Sequence, residues 1–145
     1  MDINRIKKSI RNVPDFPKPG IQFKDITTLL QDKDTFSETI EAFYNAFKNK
    51  EIDVIVGIES RGFIFASPLS LRLGCRFVLA RKLGKLPRKT IAKEYSLEYG
   101  TATIEIHSDA LRKGDKVLIV DDLLASGGTA KATGSVVKKL KGEII

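Results

Sequence analysis

The chain has 145 residues, of which 42% are hydrophobic and 30% charged, with a formal net charge of +7. That size suits one domain with a hydrophobic core of its own, and no stretch approaches the roughly 20 apolar residues that cross a bilayer. The N-terminal residues, Met1-Asp2-Ile3-Asn4-Arg5-Ile6-Lys7-Lys8, lack the apolar run of a secretory signal, and a single cysteine, Cys75, leaves no internal disulfide. A reducing, cytoplasmic setting is expected. The basic charge suits nucleic acid, an anionic surface or phosphorylated small substrates, but the basic residues are dispersed and no aromatic stacking platform is interleaved with them. Nucleic acid and membranes are therefore not expected partners.

Taken in chain order, residues 14–20 hold three of the five prolines, which predicts a loop or extended arm. Thr35-Phe36-Ser37-Glu38 has the pattern of a capping box, and Phe36, Ile40, Phe43, Tyr44 and Phe47 follow at helical spacing. The β-branched run over 52–58 predicts a buried strand, followed by a helix from about residue 63 to 73 that Gly74 ends. Residues 75–80 read as a strand, 81–100 as a long polar excursion, and 101–107 as a strand with period-2 alternation. A further buried strand at 116–120 leads through glycines into a helix bearing Ala132, Val136, Val137 and Leu140. Lys141-Gly142-Glu143-Ile144-Ile145 then looks like a helix stop and the first residues of another strand, as though the chain were truncated. Strands alternating with helices predict an α/β domain, a mostly parallel sheet flanked by helices.

The most informative run is Val117-Leu118-Ile119-Val120-Asp121-Asp122-Leu123-Leu124-Ala125-Ser126-Gly127-Gly128-Thr129. In open α/β sheets ligands bind at the carboxyl ends of strands. Ser126, Gly127, Gly128 and Thr129 can aim backbone N–H groups and hydroxyls at a phosphate, and a helix N-terminus favours the anion. Asp121 and Asp122 cannot serve a phosphate, but adjacent carboxylates suit the vicinal hydroxyls of a ribose or a bound magnesium ion. A second turn, Gly57-Ile58-Glu59-Ser60-Arg61-Gly62-Phe63, also runs from strand to helix and offers backbone donors and the Arg61 fork to oxyanions. The polar stretch after residue 80 suits a lid over a reacting centre. His107 has no companion for a metal site and reads as structural, and Cys75 as packing.

The acidic run resembles the phosphoribosyl pyrophosphate motif of the type I phosphoribosyltransferases, and almost the whole chain is similar to the adenine phosphoribosyltransferases. The resemblance implies their fold, with an N-terminal hood arm over about 1–30 and a mobile lid over about 81–100. It implies transfer of phosphoribose to adenine, giving AMP and pyrophosphate with Mg2+, in a homodimer. Asp121 and Asp122 would hold the ribose hydroxyls, Ala125 to Thr129 the 5′-phosphate, and Glu59, Ser60, Arg61 and Gly62 the pyrophosphate. Arg81, Lys82 and Lys85 would also meet pyrophosphate, in part across a subunit interface, while Glu94 and Tyr95 would reach the reacting centre, Glu94 as the candidate for proton handling. The metal would enter with the substrate, with Asp121 and Asp122 the protein groups able to meet it. Enzymes for 6-oxopurines carry an aspartate where this chain has Ala125, which points to adenine. Phe23 would stack on the base, and Gln22 and Lys24 would read its edge through the backbone. The alternatives are a purine-responsive regulator on the same fold, which would need a DNA-binding segment, and an inactive fragment.

Overall fold

The computed structural model describes residues 3–145; Met1 and Asp2, the start of the expected hood arm, lie outside the described residues. The chain divides into two compact units, the first ending at Asn49 and the second beginning at Lys50. Among the described residues no helix is long and apolar enough to cross a membrane.

The first unit holds α1 (Ile3–Ser9), an antiparallel hairpin of β1 (Arg11–Pro14) and β2 (Gln22–Asp25), α2 (Thr27–Gln31) and α3 (Lys33–Phe47). The proline-rich stretch is the hairpin's loop, as its composition requires. Asp15, at φ 55°, accepts from the Gly20 N–H at 2.7 Å, and Ile21 N–H donates to the Lys18 carbonyl at 3.2 Å. The capping-box reading is corrected in its details: α3 starts two residues before Thr35, and Asp32 is its cap, accepting from the N–H groups of Asp34 and Thr35. Thr35 is buried inside the helix, where its hydroxyl bonds the Leu29 carbonyl at 3.0 Å. A carboxylate one helical turn ahead outcompetes a hydroxyl for the same orphan N–H groups.

The second unit is built on a six-stranded sheet of order β5-β6-β4-β3-β7-β8. Its strands are β3 (Val54–Ile58), β4 (Arg76–Lys82), β5 (Thr90–Ser96), β6 (Thr101–His107), β7 (Lys116–Val120) and β8 (Glu143–Ile144), with helices α4 (Glu59–Leu73) and α5 (Gly128–Lys139). The pairs β3–β4, β3–β7 and β7–β8 are parallel, and β4–β6 and β5–β6 are antiparallel. The strand expected after residue 141 is therefore present as β8. The polar excursion, by contrast, contains a strand: β5 pairs with β6 along its whole length, from Thr90 opposite His107 to Ser96 opposite Thr101.

Helices cover both faces. Val54, Val56 and Ile58 of β3 form one core with Ala132, Val136 and Val137 of α5, Ile104 and Ile106 of β6, and Val117. Each fully buried branched side chain in such a core contributes about 1.5–3 kcal/mol. The opposite face of β3 lies against α4, so closely that a Cβ at Gly57 would sit 2.8 Å from both Ala66 and Phe77. Period-2 alternation thus sends odd and even residues of β3 to different helices. The helix α4 ends where Gly74 takes the left-handed conformation at φ 71°.

Candidate active site

Two strand-to-helix turns leave the same edge of the parallel sheet, one after β3 and one after β7, because these strands are neighbours in register. The first is abrupt. Glu59 adopts φ 47° and begins α4 directly after Ile58, so Ser60, Arg61 and Gly62 lie in the first helical turn. Such a backbone is uncommon for a residue with a side chain and is held here by contacts around it. The Glu59 carboxylate accepts the Lys82 N–H and lies 3.6 Å from the Arg81 guanidinium. The second turn carries Asp121 and Asp122, then Leu123 to Ser126, with Gly127 left-handed at φ 82° and α5 starting at Gly128.

The turns interlock. Arg61 Nε donates to Asp122 Oδ2 at 3.0 Å, and the Asp122 side chain is only 4% exposed. The Asp122 N–H donates to Asp121 Oδ1 at 2.8 Å. Gly62 lies beneath this pair: a Cβ there would be 3.1 Å from the Val120 carbonyl and 3.2 Å from Asp121 Oδ1. Burial, with the Asp122 carboxylate adding to it, pushes the Asp121 carboxyl up to about 6. A carboxylate half withdrawn from water is poised to take hydrogen bonds from a ligand.

A cavity of about 490 Å³ joins the two turns. Glu59, Ser60, Arg61, Lys82, Tyr95, Asp121, Asp122 and Ala125 through Thr129 all line it. Thr129 donates its hydroxyl to the Tyr95 hydroxyl oxygen at 3.1 Å, which ties the start of α5 to β5. The remaining sequence-derived candidates lie elsewhere. Arg81 and Lys82 are neighbours on β4 and so face opposite sides of the sheet; Lys82 shares the cavity side, whereas Arg81 stacks 5.6 Å from the Phe63 ring centroid. Glu94 alternates with Tyr95 in the same way, is exposed on the far face and does not line the cavity. Lys85 is exposed in the turn after β4 and does not line the cavity.

In the first unit, Phe23 of β2 packs edge-on against Phe16 at 5.1 Å. Gln22 and Lys24 flank it, and both side chains bond Asn12, at 2.6 and 3.1 Å. The side chains of Gln22 and Lys24 are thus held within the hairpin, while β2 pairs only with β1 and keeps one free edge in this two-stranded sheet.

A second cavity, of about 770 Å³, adjoins the acidic pair and continues along α5 to Ile144. Ile58, Ile119, Leu123, Leu124 and Ile144 give it apolar walls. Sequence reasoning passed over Leu123 and Leu124; the signal was two leucines in a turn, which the fold leaves 46% and 74% exposed.

Residues 25–145 match the family model of the phosphoribosyl transferase domain. The chain is 56% identical over 140 residues to the adenine phosphoribosyltransferase of Halothermothrix orenii, covering 97% of this chain and 82% of that one. The chain belongs to the adenine phosphoribosyltransferase family. The Vibrio cholerae adenine phosphoribosyltransferase is 51% identical over 142 residues, 98% of this chain and 78% of that one. The crystal structure of adenine phosphoribosyltransferase from Thermoanaerobacter pseudethanolicus superposes with a TM-score of 0.96 at 50% identity, over 99% of this chain and 83% of that one. The α/β fold expected of an adenine phosphoribosyltransferase is thereby met, including the antiparallel strands β5 and β6 at one edge of the sheet.

Proposed function

We propose that the chain transfers the 5-phosphoribosyl group of phosphoribosyl pyrophosphate to adenine, giving AMP and pyrophosphate, through the cavity between the β3 and β7 turns. The observation that carries this is the grouping around one cavity of a carboxylate pair, a helix-start phosphate turn and the cations Arg61 and Lys82. Each part suits one part of that substrate.

The Ser126 to Thr129 turn offers N–H groups and hydroxyls to the 5′-phosphate. Asp121 and Asp122 accept from the ribose 2′- and 3′-hydroxyls. Arg61, Lys82 and Lys85 neutralise pyrophosphate as it leaves C1 and positive charge develops on the ribose ring. A base nitrogen then forms the new bond to C1 as the old C–O bond breaks, and no covalent nucleophile on the protein is needed. Closing the hairpin of β5 and β6 over the site would exclude the water that competes for C1.

Magnesium fits as a companion of the substrate. Among the described residues no group of three or more His, Cys, Asp or Glu side chains could cage an ion, yet Asp121 and Asp122 present carboxylates to the cavity. Mg2+ commonly keeps several waters and binds one or two carboxylates together with substrate phosphates. It would supply neutralisation of the pyrophosphate charge. Ala125, with no side-chain acceptor for an oxopurine, supports adenine as the base, and the apolar cleft beside the acidic pair gives a flat ring a surface to lie on. A homodimer and a cytoplasmic setting belong to the same reading.

The double substitution Asp121→Asn, Asp122→Asn tests the ribose role. Asparagine keeps the shape and an oxygen that Arg61 Nε can still bond, and Arg61 is half exposed to water, so melting temperature should hold. Each lost charge-assisted bond is worth about 1.5–3 kcal/mol, so kcat/KM should fall by at least about tenfold while inorganic phosphate binding is retained. Near-normal turnover in the double variant would remove the acidic pair from the mechanism.

A further inference from the structure

Glu105 is 3% exposed, in the middle of β6 between the core residues Ile104 and Ile106. A buried carboxylate is expensive unless its oxygens are satisfied, and a strand flanked by isoleucines would accept an apolar residue more cheaply. Here the oxygens are satisfied, and by one segment. Oε1 accepts the Gly84 N–H at 3.1 Å and the Leu86 N–H at 3.2 Å, and Oε2 accepts the Thr90 hydroxyl at 3.0 Å. No basic side chain is among these partners. Gly84 and Leu86 belong to the connection between β4 and β5, and Thr90 is the residue at which β5 begins.

That connection is a tight turn with a lysine at each end. Lys85 N–H donates to the Lys82 carbonyl at 3.2 Å, and Gly84 takes φ +82° at the third position of the turn, as a type II turn requires. The first and fourth residues of such a turn lie within about 7 Å of each other. Both amides that flank Lys85 are turned inward to the carboxylate, and Lys85 itself is exposed. From the other side, the Glu59 carboxylate holds the Lys82 N–H.

We propose that Glu105 is a positioning residue for the pyrophosphate end of the substrate. It pins the 82–85 turn from beneath and so holds Lys82 and Lys85 as a preformed pair of cations. The proposal rests on the reading above, in which these lysines meet pyrophosphate. Glu105 touches no reacting atom. Its effect passes through the turn, and a cation pair fixed before binding loses less freedom when the anion arrives.

Glu105→Ala leaves two part-buried amides and a hydroxyl without their acceptor. It should raise KM for phosphoribosyl pyrophosphate about tenfold or more, with KM for adenine within twofold, and amide exchange at Gly84 and Leu86 should quicken. Glu105→Gln should restore most of the loss, since the amide oxygen can accept both N–H groups and its NH2 can donate to Thr90. An unchanged KM for phosphoribosyl pyrophosphate, a rise shared equally by adenine, or persistent protection of both amides would overturn the proposal. Should Glu105→Ala not fold, Thr90→Val removes one of the three bonds and carries the same comparison of KM values. If the wild type forms no AMP, the enzymatic reading fails by itself. Exchange at Gly84 and Leu86 then decides the clamp: unchanged rates in the Gln and Thr90→Val variants alongside unchanged rates in Glu105→Ala would overturn it.

Discussion

Asp121 is the residue at which charge, burial and substrate chemistry meet. Its carboxyl is pushed up from 3.8 to about 6 by burial first, with the adjacent Asp122 carboxylate acting in the same direction. The proton is thus held more tightly in the folded chain than in the unfolded one. Between pH 3.8 and about 6 the folded state binds more protons, so this group's contribution to stability falls as pH rises through that window. In the proposed mechanism function runs the other way, because only the ionised form would give the ribose hydroxyls a charged acceptor. Measured in excess Mg2+, kcat/KM for phosphoribosyl pyrophosphate should show an acid limb near pH 6 that Asp121→Asn lacks. If the limb persists unchanged in that variant, it belongs to another group, the substrate phosphate included.

Gly62 makes a complementary case, because two effects of opposite sign meet there. In the first turn of α4, alanine is preferred to glycine by about 1 kcal/mol. Its Cβ, however, would press on the Val120 carbonyl at 3.1 Å and on Asp121 Oδ1 at 3.2 Å, and backbone yields poorly. Gly62→Ala should therefore leave the melting temperature nearly unchanged and lower kcat/KM by about tenfold, through a displaced Asp121. Normal turnover with raised stability would show that the contact is slack.

At the scale of elements, the antiparallel hairpin of β5 and β6 decides which polar side chains reach the cavity. Ile91 and Tyr95 face α5, and the Thr129–Tyr95 hydrogen bond fixes the end of β5 against the start of that helix. The tip beyond it, where Leu97 N–H bonds the Gly100 carbonyl at 2.9 Å, leaves Leu97 and Tyr99 at 49% and 78% exposure. Little buried contact holds such a tip, and local opening should be easy. Chymotrypsin should cleave there first, and phosphoribosyl pyrophosphate with Mg2+ should slow the cut. Equal cleavage rates with and without ligand would end the gating role.

The same elements show what was legible beforehand. The strands at 101–107 and 116–120 have the expected bounds, because alternation and an unbroken β-branched run are strong local signals. The strand β5 was hidden: its cavity-side positions are Ile91, Lys93 and Tyr95, and a lysine in the middle breaks the apolar alternation. Helix α4 begins four residues earlier than its apolar pattern suggests, since only the positive φ of Glu59 allows so abrupt a turn. For the site, the contiguous turns at 59–62 and 121–129 could be read as motifs. Arg81 and Glu94 could not be placed that way, because their direction follows from the phase of a strand. Continuing the alternation of β4 from Val78 and Ala80 to Lys82 would have found the cavity-facing cation.

For the molecule as a whole, the central claim is a choice of base as well as a reaction. The phosphate turn, the acidic pair and the two cations would serve any phosphoribosyl acceptor. In the proposed mechanism selectivity comes from what adjoins the acidic pair: Ala125 in place of an acidic side chain, and the apolar cleft with Leu123 and Leu124. An acidic side chain at 125 could accept a ring N–H of an oxopurine; with alanine there that N–H is left without an acceptor, and a polar group left unpaired counts strongly against a base. The direct measurement incubates the protein with Mg2+ and phosphoribosyl pyrophosphate and, separately, with adenine, hypoxanthine, guanine, xanthine or orotate, and follows nucleotide formation. AMP from adenine with little product from the other four is the expected result; comparable rates with guanine or hypoxanthine would contradict it.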